Sequence, residues 1–272
     1  TTLDVIVSSW DLTNLPGLPA VVNLSNATIT AATMGQFEMT AFGNSLFYVY
    51  NYNNDLYLRR FDISGDSWDA SETVVSTMNE VMSSPRLEVD NEGYLYLGYQ
   101  QYNSGSGNYQ FVVRRSVVQE EVIPGFHAEH YMTGTPRSAL FDHIDIAVAG
   151  DSTTGDLKVV AAYQDPMTPA LDIWTTVEHD GDWTDPAWSG TYNFINRGVA
   201  TAIRGPDIEF SPNGVFVHAV WLDDRTGDDN LFTSISFTGG LNWRPDKQIS
   251  FGTPVVEDVP QIVTGSAMGN IA

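Results

Sequence analysis

The sequence predicts an all-β fold built from one antiparallel unit repeated along the chain. Three observations carry this. Helical periodicity is nearly absent. Short apolar runs such as Leu46-Phe47-Tyr48-Val49-Tyr50, Tyr94-Leu95-Tyr96-Leu97 and Val215-Phe216-Val217-His218-Ala219-Val220 stand between clusters of Gly, Asn, Asp and Ser. That is the pattern of strands and turns. Finally, one run recurs, ending each time in an aromatic and a polar residue.

The recurring endings are Ser9-Trp10-Asp11, Val49-Tyr50-Asn51, Gly98-Tyr99-Gln100, Ala162-Tyr163-Gln164 and Val220-Trp221-Leu222-Asp223. Intervals of 40 to 64 residues between their aromatics suit a four-stranded unit each. A strand start belongs to each ending, at Glu38-Met39, Arg86-Leu87, Asp145-Ile146, Asp207-Ile208 and Gln261-Ile262. The last start lies near the C-terminus, whereas its ending, at Trp10, lies near the N-terminus. The expectation is a β-propeller of five four-stranded blades with one blade shared between the two ends. Its blades are 254–272 plus 1–33, 34–81, 82–134, 135–197 and 198–253, in one domain over 1–272. Such sharing closes the ring and removes exposed strand edges. The chain begins Thr1-Thr2 rather than with Met. It therefore reads as processed or as part of something longer.

Composition narrows the function. The 272 residues are 42% hydrophobic and 12% aromatic, enough for a packed core. There is no cysteine, which excludes disulfides, thiolate metal sites and cysteine nucleophiles. Asp and Glu number 34 against 12 Lys and Arg, a formal charge of -22. A surface that acidic repels nucleic acid and anionic membranes. It suits solubility in salt and an extracellular, secreted or cell-surface setting. No apolar run reaches the ~20 residues of a membrane span. No phosphate loop, nucleotide fingerprint or nucleophile elbow is present.

The run from Gly214 to Trp243 resembles a blade of the sialidase-like propellers that carry Asp-box (bacterial neuraminidase) repeats. The box reads Ser-x-Asp-x-Gly-x-Thr-Trp. Ser236, Gly240 and Trp243 match it, while Thr238 replaces Asp and Asn242 replaces Thr. A weaker copy matches at Gly65, Ser67 and Trp68, and a remnant stands at Asp180-Gly181-Asp182-Trp183. The resemblance implies a structural role for the box, with Gly in the turn and Trp packed between neighbouring blades. Sialidases of this type usually have six blades, and no Phe-Arg-Ile-Pro signature is found here. Five blades also resemble furanosidase-type glycoside hydrolases.

In a propeller the innermost strand starts converge on the axis, so Glu38, Arg86, Asp145, Asp207 and Gln261 are expected together. Glu38, Asp145 and Asp207 are the candidate acid and base groups for glycoside hydrolysis. Crowding raises the pKa of one such carboxyl, as a general acid requires. Arg86, Arg137 and Arg204 lie at or just before three successive inner strands. With Gln261 they are the candidate ligand-binding set, and the three arginines form the clamp that a sialidase needs. The loop holding Asp223, Asp224, Asp228 and Asp229 offers hard oxygen ligands of the kind Ca²⁺ takes. Turn chemistry accounts for the same residues without a metal, and no motif requires a cofactor. His127-Ala128-Glu129-His130 lacks zincin spacing. Sequons stand at Asn23 and Asn26.

The resulting expectation is a non-catalytic propeller that binds a glycan or a surface protein, because the boxes are degraded and no active-site signature accompanies them. Two alternatives remain open. One is a glycoside hydrolase, sialidase-like or furanosidase-like, using the axial carboxylates. The other is a structural subunit of a larger surface assembly.

Overall fold

The computed structural model describes residues 2–3, 6–8, 21–23, 29–30, 34–52, 55–65, 67–69, 73–74, 81–119, 125–133, 136–141, 143–150, 155–165, 173–179, 191–196, 203–227, 229–250 and 260–264. At some of these, including all before Phe37 and also Arg204, the backbone alone is described. Every regular element among them is a β-strand.

Near the N-terminus lie β1 (Thr2–Leu3), β2 (Ile6–Ser8), β3 (Val21–Asn23) and β4 (Ile29–Thr30). They form two nested antiparallel pairs, β2 with β3 inside β1 with β4. The first large sheet holds β5 (Met34–Phe42), β6 (Ser45–Tyr52), β7 (Asp55–Asp62) and β8 (Ser67–Trp68), with β9 (Thr73–Val74) also on β7. The second holds β10 (Val81–Val89), β11 (Leu95–Asn103), β12 (Asn108–Arg115) and β13 (His130–Tyr131). The third holds β14 (Ile144–Ala149), β15 (Lys158–Gln164), β16 (Ile173–His179) and β17 (Thr191–Phe194). The fourth holds β18 (Ile203–Phe210), β19 (Val217–Asp223), β20 (Asn230–Ser236) and β21 (Lys247–Gln248). Each large sheet is an antiparallel meander in chain order, and the first strands β5, β10, β14 and β18 pack side by side.

Both faces of the inner sheets are buried, which explains the unbroken apolar runs. On β11, Leu95, Leu97 and Tyr99 pack with Leu56 and Leu58 of the first sheet. Tyr96, between them in sequence, points the other way and packs with Ile146 and Val159 of the third sheet. Alternate residues of a strand face opposite sides. A strand apolar on both sides therefore reads as a continuous run. The third and fourth sheets meet through Ala147, Val160, Ala162, Ile208, Phe210 and Trp221. Tyr50, Tyr99, Tyr163 and Trp221, the repeated aromatics, are at most 2% exposed. Burying each such ring contributes ~1.5–3 kcal/mol. Trp10 lies outside the described residues.

The Gly214–Trp243 run shows how neighbouring sheets are riveted. Ser236 Oγ accepts the amides of Thr238 (3.2 Å) and Gly240 (2.8 Å). Thr238 stands where the box has Asp, and its Oγ1 accepts the Asn242 amide at 2.8 Å. Gly239 and Gly240 take φ of 62° and 96°, where a side chain is disfavoured. The turn delivers Trp243, whose Nε1 donates to Thr175 Oγ1 on β16 at 3.1 Å. In the weaker copy, Asp62 Oδ1 gathers the amides of Ser64 and Gly65 instead. The remnant at 180–183 and the sequon side chains lie outside the described residues.

Candidate active site

Three first strands carry a β-bulge just before their axial residue. The irregularities fall between Met34 and Phe37, between Ser83 and Arg86, and between Arg204 and Asp207. A bulge kinks one strand and re-aims its side chains. In two of the strands the kink is a left-handed residue followed by proline. Ser84 (φ 54°) precedes Pro85 and Arg86, and Gly205 (φ 39°) precedes Pro206 and Asp207. Pro260 precedes Gln261 in the same way.

The first strands surround a cavity of about 590 Å³. All five positions expected on the axis line it: Glu38, Arg86, Asp145, Asp207 and Gln261. Each of the first four reaches toward the next strand along the chain. Arg86 lies 3.5 Å from Glu38 and 3.3 Å from Asp145. Asp145 Oδ2 accepts the Ile208 amide at 2.7 Å. Asp207 in turn accepts the amide of Ile262. The segment 260–264 thus runs beside β18, fixed also by Thr264 Oγ1 donating to the Phe210 carbonyl at 2.6 Å.

The carboxyls are crowded and partly dry. Burial, with the negative charge of Asp207, holds the Asp145 carboxyl well above the ordinary range, and Arg86 opposes this only in part. Burial also raises Asp207, while the Ile262 amide, Asp145 and Arg86 pull it back. Glu38 is raised by burial and pulled back by Arg86.

Two further carboxyls were not foreseen from the sequence. Glu88 and Glu209 lie two residues beyond Arg86 and Asp207 on the same strands and line the same cavity. Burial and the charges of Glu209, Glu38 and Asp207 push Glu88 up to about 8. Burial and Asp207 push Glu209 up to about 7. The signal for them was present. Arg86-Leu87-Glu88 and Asp207-Ile208-Glu209 alternate polar and apolar, and the apolar members Leu87 and Ile208 are 2% exposed. Phe37, 44% exposed, is the aromatic residue among the cavity's lining residues, and His143 lines it too.

Other expectations are corrected. Of the three candidate clamp arginines, Arg137 is engaged elsewhere. Arg137 is absent from the residues lining the cavity and forks onto Asp165, with Nε and Nη2 contacts of 2.6 to 3.1 Å. Asp165 is 2% exposed, so the guanidinium is committed to a buried charge. The side chain of Arg204 lies outside the described residues. Arg86 lines the cavity, already between two carboxylates.

In the acidic loop, Asp223 is committed to an ion pair. Asp223 is fully buried and accepts from Arg225 Nε (2.7 Å), the Arg225 amide (2.9 Å) and Trp221 Nε1 (3.3 Å). Arg225 also pairs with Asp246, so these charges tie β19 to the loop before β21. Asp228 lies outside the described residues, and no metal-holding cluster occurs among those described. Glu129 accepts the hydroxyls of Tyr99 (3.2 Å) and Tyr131 (3.0 Å) rather than joining His127 and His130 at a metal.

No protein-family model and no curated protein matches the chain. Solved structures do. A protein of unknown function from Dyadobacter fermentans is similar over 85% of this chain and 72% of its own, at 12% identity and a TM-score of 0.56. An alpha-L-arabinofuranosidase from Fusarium graminearum is similar over 81% and 67%, at 12% identity and 0.52. A Hadza microbial sialidase is similar over 85% and 50%, at 12% identity and 0.50. The chain spans half the length of that sialidase. These likenesses give the chain a propeller-like fold of the kind that glycosidases use, without singling out the Asp-box proteins. They also correct the expectation of a non-catalytic binding module, since the neighbours of named activity are glycoside hydrolases.

Proposed function

We propose that the chain is a glycoside hydrolase that works with the carboxyls of its axial cavity. The observation that supports this most is the gathering of Glu38, Asp145 and Asp207 in one cavity, with Arg86 3.5 Å from Glu38 and 3.3 Å from Asp145. Hydrolysis needs a group that gives a proton to the leaving oxygen and a second carboxylate that acts on the anomeric carbon or on water. The Asp145–Asp207 pair is the proton source. Glu38, drawn toward its anion by Arg86, is the carboxylate. Arg86 fixes the spacing between them by contacting both sides.

The substrate inferred is a neutral glycan, with a furanoside favoured over a sialoside. Among the described residues, five carboxyl side chains and one arginine line the cavity, and that arginine already serves Glu38 and Asp145. A sugar carboxylate would enter with no free clamp and against like charges. Hydroxyls accept and donate equally well to carboxyls, and Phe37 offers a face for the apolar side of a sugar ring. The arabinofuranosidase likeness agrees. Assaying purified protein on 4-nitrophenyl α-L-arabinofuranoside and on an aryl sialoside tests this. Hydrolysis of the first is expected; turnover of the sialoside alone, or of neither, overturns the reading.

The finer architecture follows the same reading. We infer a five-bladed ring in which the segment 260–264 supplies the innermost strand of the last blade and residues 1–33 its outer strands. The place of Ile262 beside Asp207 and the nested N-terminal pairs support it.

A further inference from the structure

A second cavity, of about 310 Å³, opens at the other end of the first strands. Its walls come from the turns between first and second strands, with Asn91, Gly150, Ser211 and Asn213, and from Lys158 and Thr264. One described residue lines both cavities, and it is Glu209. A water takes up ~30 Å³ of the liquid, so the lower cavity has room for several.

Hydrolysis by an acid and a base leaves the acid without its proton and the base with an extra one. No net proton is consumed, yet one must travel from base to acid before the next turnover. Asp145 and Asp207 line the upper cavity together, and Glu209 follows Asp207 on the same face of the same strand. Around Glu209 stand Asp207 on its own strand, Glu88 on β10, Lys158 on β15 with Asp156 before it, and His218 opposite it on β19.

We propose that Glu209 is a proton relay that resets the axial acid through the lower cavity. After each turnover it gives a proton to the Asp145–Asp207 pair on one side and takes one from the water of the lower cavity on the other, ending the cycle unchanged, while Glu38 releases its extra proton to water in the upper cavity. The inference rests on the hydrolase reading, and wild-type turnover is the control that separates the two.

The test uses the full chain and 4-nitrophenyl α-L-arabinofuranoside. In Glu209→Gln, kcat should fall about tenfold or more, short of the ~10²–10⁴-fold of a direct acid or base, with KM unchanged. The loss should deepen in D2O, and formate or Glu209→Asp should restore part of it. Val148→Phe, which fills the lower cavity without touching the upper, should lower kcat in the same direction, its thermal melt checking the fold. An active wild type with unchanged kcat in Glu209→Gln overturns the relay. So does a Glu209→Gln loss that neither formate nor Glu209→Asp relieves, because that marks a packing role. An inactive wild type overturns the hydrolase reading itself.

Discussion

Asp145 and Ile208 are joined across two sheets, the carboxylate Oδ2 of one accepting the backbone amide of the other at 2.7 Å. Asp207 repeats the contact one strand further on, with the amide of Ile262. The axial carboxylates therefore have two duties. They hold neighbouring first strands in register, and they line the cavity. An Asp→Asn change keeps an amide oxygen for the same backbone N–H, so it separates the duties: the strand contact survives and the proton chemistry does not.

Arg137 is expected to matter for stability and not for substrate binding. Arg137→Met leaves the buried Asp165 carboxylate without its fork, a loss of ~3 kcal/mol for a broken buried pair. Chemical denaturation should show that loss while KM for an aryl glycoside stays within twofold. A raised KM with unchanged stability would return Arg137 to the ligand.

Stability should decline as pH rises from about 5 to about 8. Glu88 and Glu209, ordinarily near 4.5, titrate in the folded chain at about 8 and about 7. The folded state therefore binds more protons than the unfolded state across this window. Their contribution is complete below the ordinary value and is lost as pH passes the folded values. Melting temperature against pH reads this, and Glu88→Gln should flatten the slope. A melting temperature that climbs through the window would contradict it.

The strand content was legible because turn residues punctuate it, and the five axial positions were legible because the repeat fixes their register. Tyr96 and Leu97 show why no simple alternation appeared: each faces a different neighbouring sheet. Glu88 and Glu209 were missed because the repeat was read at single positions rather than along the strand. The prolines at 85 and 206, each just before an axial residue, were an unread marker of two of the bulges. Arg137 could not be placed from sequence, since its partner Asp165 is 28 residues away and on the far side of a strand pair.

Trimming residues 258–272 should lower the melting temperature sharply. The cut removes the Ile262 and Thr264 contacts with β18 and bares the cavity flank of that strand. An unchanged melt would mean that the last segment adds nothing to the ring.

Salt should raise the melting temperature. At -22 the chain repels itself, and the Debye length shrinks to ~3 Å at 1 M. A flat response to NaCl would show that local pairs such as Arg225 with Asp223 and Asp246 already balance the charge.

The most direct measurement is the initial rate of 4-nitrophenyl α-L-arabinofuranoside hydrolysis by the wild type and by Asp145→Asn, with circular dichroism and melting recorded on both. The account predicts turnover by the wild type, and a fall of ~10²–10⁴-fold in a variant that keeps its fold. Equal rates in the two proteins, or a folded wild type that hydrolyses no glycoside between about pH 4 and about pH 8, would contradict it.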